Sequence, residues 1–169
     1  MTRDSDAGPA SEPQTSVESD GMAWALKVSF RRYLRTALGV EHAAAGAGYL
    51  ADGRFYFPIA HSDFDVEAVM GSISAEGEIT FHGHGGLIDL TLARPTVALC
   101  AGSGTVSVMA NGTPTELADV RLMEVTRGDD VVAFAFNTRL RAAATHLFDD
   151  VYPPGTMFDH LEIRLARPH

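Results

Sequence analysis

Along the second half of the chain, apolar and polar positions alternate with a period of two. Ile79 and Phe81 interleave with Glu78 and Thr80, and Ile88, Leu90 and Leu92 with Asp89 and Thr91, the spacing of strands buried on one face. Further alternating or apolar runs at residues 96–100, 105–109, 118–126, 131–136 and 161–165 predict more strands. Asn111-Gly112 and Arg127-Gly128-Asp129-Asp130 read as tight turns between them, and Tyr152-Pro153-Pro154-Gly155-Thr156 as a loop. Earlier, Gly53-Arg54-Phe55-Tyr56-Phe57 predicts a strand stopped by Pro58, followed by an irregular surface connection over 60–69. The Ala/Gly-rich run 41–48 shows no period and reads as a connection.

Helical spacing takes over in two places. Around Trp24-Ala25-Leu26-Lys27-Val28-Ser29-Phe30-Arg31-Arg32-Tyr33-Leu34, the residues Leu26, Phe30, Tyr33 and Ala37 fall on one stripe, and Lys27, Arg31 and Arg35 recur every four residues on another. Asp20, with Ser19 as alternative, is the expected N-cap of a helix running from Gly21 to Gly39. A second short helix fits 140–148. The pattern predicts a mainly β architecture, an antiparallel sandwich or partly opened barrel with two short α-helices.

Composition narrows the function classes. A chain of 169 residues suits one domain with a real core. Residues 1–20, rich in Asp, Glu, Ser, Pro and Gly, read as a disordered acidic tail, leaving one domain over 21–169. With 13 Lys and Arg against 22 Asp and Glu, the formal charge of −9 disfavours nucleic acid and anionic membrane surfaces as partners. No apolar run reaches the ~20 residues that cross a bilayer, and the N-terminus lacks the apolar stretch of a secretory signal, so a cytoplasmic location is expected. Cys100 stands alone, which excludes an internal disulfide and predicts a buried small hydrophobe.

Chemistry-bearing residues are few. His82 and His84, framed by Gly83, Gly85 and Gly86, share a face on a regular strand, yet the glycines point to a bulge or a close backbone approach. Structural histidines and metal ligands both remain open at this point, since His61 and Asp63 offer no zinc spacing. Nucleophile-elbow, phosphate-loop and His-Glu-x-x-His motifs are absent.

Four blocks in order carry a resemblance. The segment Trp24 to Tyr33, then Asp52-Gly53-Arg54-Phe55-Tyr56-Phe57-Pro58, then the run from Ile79 to Leu92 with Pro95, and finally Tyr152-Pro153-Pro154-Gly155-Thr156 resemble the HtaA-type haem-binding domains of actinobacteria. The resemblance spans about residues 21–166. It departs at His160, where the family usually has proline.

The resemblance implies ferric haem b as cofactor, with iron held by Tyr33 and a hydrogen bond to that ligand from His84. An anionic phenolate suits ferric iron, and a free phenol ionises only near pH ~10, so metal and imidazole must together favour the charged form. Phe30, Phe55 and Phe57 are candidate porphyrin walls, and Lys27, Arg31 and Arg32 candidate partners of the propionates, set against their ordinary roles as core and solvated face. Tyr152 and His82 complete the candidate set, and His146 and His160 are left without a role. The expected function is non-enzymatic haem trafficking or buffering, with a haem donor or acceptor protein as partner and a homodimer as one way to cover an exposed haem face. The alternatives are a haem-dependent enzyme, peroxidase-like or haem-degrading, and an interaction module that has lost haem.

Overall fold

The computed structural model describes residues 20–167, and the expected tail over 1–19 lies outside them. Eleven strands form one antiparallel system: β1 (Gly21–Trp24), β2 (Val40–Ala44), β3 (Gly48–Tyr49), β4 (Phe55–Asp65), β5 (Met70–Ala75), β6 (Glu78–Gly83), β7 (Ile88–Cys100), β8 (Ser103–Ala110), β9 (Thr113–Arg127), β10 (Val131–Leu140) and β11 (Met157–Ala166). Among the described residues one helix, α1 (Val28–Thr36), and two 3-10 segments, His84–Gly86 and Ala142–Phe148, accompany the strands.

The chain is mainly β, as expected, but its sheet closes into a full barrel, rather than the expected sandwich or partly opened barrel. The ring runs β7-β5-β4-β1-β11-β10-β9-β8, and pairing of β7 with β8 closes it. Closure follows from the length of β7. One edge of that strand pairs first with β6 (Ile88 to Ala93) and then with β5 (Thr96 to Leu99), while the other takes β8. Arg94, at φ 48, and Pro95 mark the register break between the two halves. Because β6 pairs only with the first half, it and β2 leave the ring as a flap. Full closure removes the exposed edges that an open sheet would present.

Alternating side chains fill the interior, with Ile73, Ile79, Phe81, Val97, Val106, Phe134, Phe136, Leu161 and Ile163 all buried. Backbones approach so closely at β4–β5 that a Cβ on Gly71, which sits at φ +124, would stand 2.1 Å from the Asp63 carbonyl oxygen. Gly71→Ala should therefore cost about 1–3 kcal/mol through overpacking alone. A urea unfolding curve with a lowered midpoint and unchanged slope would show it.

Several expectations change. The stretch from Gly21 is strand, not helix: β1 is buried throughout and lies between β4 and β11, and Leu26, at φ 65, turns the chain before α1 begins at Val28. A four-residue buried run carries no period that separates strand from helix, so tertiary pairing decides. Asp20 accordingly caps no helix; its carbonyl oxygen accepts from Tyr56 Oη at 3.0 Å and its side chain from the Ala166 amide, joining β4 to β11. Pro58 sits inside β4 opposite Gly21, and β4 runs on through the predicted surface connection to Asp65. The supposed connection after residue 40 holds β2 and β3. The second helix is a 3-10 segment beginning at Ala142, and Cys100 is exposed at the end of β7.

Candidate functional site

A nine-residue helix is marginal in isolation, and α1 is held by its neighbours. The side chain of Asp159 on β11 accepts from the Val28 amide at 2.7 Å, replacing a local cap, while its carbonyl accepts from Trp24 Nε1 at 2.7 Å. Phe30 and Leu34 face inward. Phe30 meets Phe81 and Phe148 edge-on, with centroids 5.3 and 5.2 Å away. Tyr33, one turn beyond Phe30, leaves that packed face and is 52% exposed, so its hydroxyl is open to a ligand.

Two glycines bring the tip of β6 against α1. A Cβ on Gly39 would lie 2.4 Å from Leu34 Cδ1, and one on Gly83 2.7 Å from the same atom. Beyond Gly83 the chain reverses through three consecutive left-handed residues: His84 at φ 51, Gly85 at φ 64 and Gly86 at φ 99. Glycine accepts this conformation freely, whereas His84 adopts it at a cost that its surroundings must offset. The outcome is a hydrogen bond of 2.6 Å between Tyr33 Oη and His84 Nε2, with the rings 5.3 Å apart.

This pair borders a cleft of about 1080 Å³. That is slightly above the usual ~300–1,000 Å³ for small-molecule sites. Its walls come from α1, the β6–β7 tip, the β8–β9 turn and the Ala142–Phe148 segment with the residues that follow it. Leu87, Ile88, Leu90, Leu147, Phe148 and Val151 make much of the surface apolar, and Asp89, Glu116 and Asp149 are the acidic lining residues. Arg141, at the start of the last wall, pairs with Asp119 on β9 at 2.5 Å and Glu116 at 3.1 Å. Asp119 first, then Glu116, push the already high guanidinium pKa further up.

The candidate residues divide. Tyr33, His84, Phe30 and Tyr152 all line the cleft. His82 does not; its Nδ1 lies 3.1 Å from Asp89 Oδ1 across the β6–β7 ladder. Phe55 and Phe57 belong to the buried core and line only a small internal void with Trp24. Arg31 is buried rather than part of a solvated face, donating to both Glu41 carboxylate oxygens at 2.9 and 2.7 Å and to the Gly53 carbonyl at 2.9 Å. Its guanidinium lies 4.0 Å from the centroid of the Phe55 ring. Among the described residues lining the cleft there is no Lys or Arg. The Tyr152 hydroxyl instead pairs with Ser29 Oγ at 3.3 Å, and Lys27 Nζ stands 5.6 Å from the Tyr152 ring.

His146, left without a role by the sequence, lines the cleft, whereas His160 lies on β11 away from it. The apolar wall of Leu147 and Val151 was also missed. Its residues occupy a 3-10 segment and a loop, where no long periodic pattern marks a face. No group of three or more His, Cys, Asp or Glu able to hold a metal ion occurs among the described residues.

The architecture is thus a closed antiparallel barrel with a two-strand flap and a side cleft bordered by a tyrosine–histidine pair. The chain belongs to the HtaA (Htaa) family, whose model matches residues 19–164. Solved structures with this fold include the C-terminal domain of HtaA from Corynebacterium glutamicum, at 24% identity and TM-score 0.75, covering 87% of this chain and 95% of that one. The N-terminal domain of the same protein is 22% identical with TM-score 0.73, covering 89% and 98%. Heme binding protein HtaB from Corynebacterium glutamicum is 19% identical with TM-score 0.69, covering 87% and 92%. No curated protein matches by sequence.

Proposed function

We propose that this chain is a non-enzymatic haem-binding protein that holds ferric haem b through Tyr33 and serves haem trafficking or buffering. The observation that carries the reading is the 2.6 Å Tyr33–His84 hydrogen bond at the wall of a large, partly apolar cleft. Membership of the HtaA family and the resemblance to a protein named for haem binding support it.

The donor set fits the group. Haem supplies a ferric centre that favours an anionic oxygen donor, and the apolar cleft walls suit a macrocycle. In the free protein Tyr33 Oη and His84 Nε2 share one hydrogen bond, whose donor is set by the imidazole tautomer. Were Tyr33 bound to iron as phenolate, the tautomer with hydrogen on Nε2 would donate to it, fixing its orientation and moderating its basicity. Arg31 is committed to Glu41. With no Lys or Arg among the described residues lining the cleft, carboxylates of the ligand would meet neutral donors there, among them Tyr152 Oη, which pairs with Ser29 Oγ.

A haem titration of His84→Ala tests the reading. Loss of a hydrogen bond to a metal-bound ligand should weaken binding by about 10–100-fold and shift the visible spectrum while Tyr33 still ligates. An unchanged affinity and spectrum would remove His84 from the site.

A further inference from the structure

The 3-10 segment Ala142–Phe148 brings a third ring into the cleft beside Tyr33 and His84. In a 3-10 segment residues three apart are eclipsed, so Ala143 and His146 share a face, and both line the cleft. The opposite side of the segment is fixed, with Ala144 and Phe148 buried and Phe148 packed against Phe30 of α1. That contact holds the element bearing His146 to the helix bearing Tyr33. Arg141, immediately before the segment, anchors it to Asp119 and Glu116, and the Arg141 amide donates to the Leu117 carbonyl at 3.0 Å.

His146 differs from His84 and His82 in having no engagement. His84 is hydrogen-bonded to Tyr33 and His82 faces Asp89. The His146 imidazole, by contrast, makes no hydrogen bond, ion pair or ring contact among the described residues; only its carbonyl is used, accepting from the Asp149 amide at 3.3 Å. An imidazole without a partner, on an exposed face of a large cleft, is a good ligand for haem iron.

We propose that His146 is a second protein ligand for the iron of a haem held by Tyr33, entering from a separate wall of the cleft. This inference rests on the haem-binding reading above. It gives the site a ligand pair of unlike character, an anionic oxygen supported by His84 and a neutral nitrogen on an independent element. The Tyr33 side would retain ferric haem and the His146 side would be the one that opens, because nothing else holds that ring in place.

Electron paramagnetic resonance and visible spectra of the ferric haem complex test this in wild type, His146→Ala and Tyr33→Phe. His146 is exposed and unbonded, so its replacement leaves the fold intact, which circular dichroism verifies. The expected result is a low-spin signal in wild type that is lost in His146→Ala, leaving a high-spin tyrosinate spectrum, and that returns when free imidazole is added to the variant. A wild-type spectrum already high-spin, or one unchanged in His146→Ala, would overturn the second ligand while leaving Tyr33 in place. Retention of the wild-type spectrum in Tyr33→Phe, or absence of haem binding in wild type, would overturn the underlying reading and the second ligand together.

Discussion

Replacing Tyr33 by phenylalanine should abolish tight ferric haem binding and leave the barrel standing. The substitution removes one oxygen and keeps the ring, so packing near Phe30 is unchanged. In stability it removes a single exposed hydrogen bond to His84, worth about 0.5–1.5 kcal/mol at most. For a domain of this length that moves Tm by no more than roughly 6 °C. In binding it removes the proposed iron ligand itself, so the loss should exceed the ~10–100-fold typical of residues that act on a ligand from behind. Quenching of Trp24 fluorescence during haem titration measures it. Retained affinity in Tyr33→Phe would mean that haem is held elsewhere.

Glu41→Ala should do the reverse, weakening the fold and sparing the ligand. Arg31 and Glu41 are 8% and 16% exposed at their side chains and make a two-pronged ion pair that ties α1 to β2. Breaking a buried pair by deleting one partner leaves an uncompensated charge and typically costs 3–5 kcal/mol. Here the Gly53 carbonyl and the Phe55 ring still receive the guanidinium, so the loss should lie near the lower figure, about 3 kcal/mol. Thermal unfolding should shift down by roughly 6–12 °C. The double replacement Arg31→Met with Glu41→Leu should recover much of this, because packed apolar side chains substitute well for a buried pair. Haem affinity at a temperature where the variant is folded should stay close to wild type. A large affinity loss with normal stability would put Arg31 back among the ligand's partners.

The contrast between these residues shows what was legible in the sequence. Tyr33 and Arg31 sit two positions apart on one helix, and helical spacing alone assigned the tyrosine to an apolar face and the arginine to a solvated one. The structure inverts both, because β2 delivers Glu41 to the arginine and the glycines at 39 and 83 draw the β6 tip towards the tyrosine side. Those partners lie far along the chain or come from a segment with no period. The strands of the second half, the Asn111-Gly112 turn and the mainly β class were readable because alternation and turn chemistry are local. Barrel closure was not, since it depends on β7 pairing along both edges with three other strands. The Tyr33–His84 pairing came from the family resemblance, and His146 from neither source. A single imidazole on a short 3-10 segment carries no pattern, and only the fold reveals that it faces the cleft.

Resonance Raman spectroscopy of the wild-type ferric haem complex is the most direct measurement of the central claim. Excitation in a tyrosinate-to-iron charge-transfer band should enhance phenolate ring modes that vanish in Tyr33→Phe and shift in His84→Ala. A haem complex with no enhanced tyrosinate modes would contradict iron ligation by Tyr33.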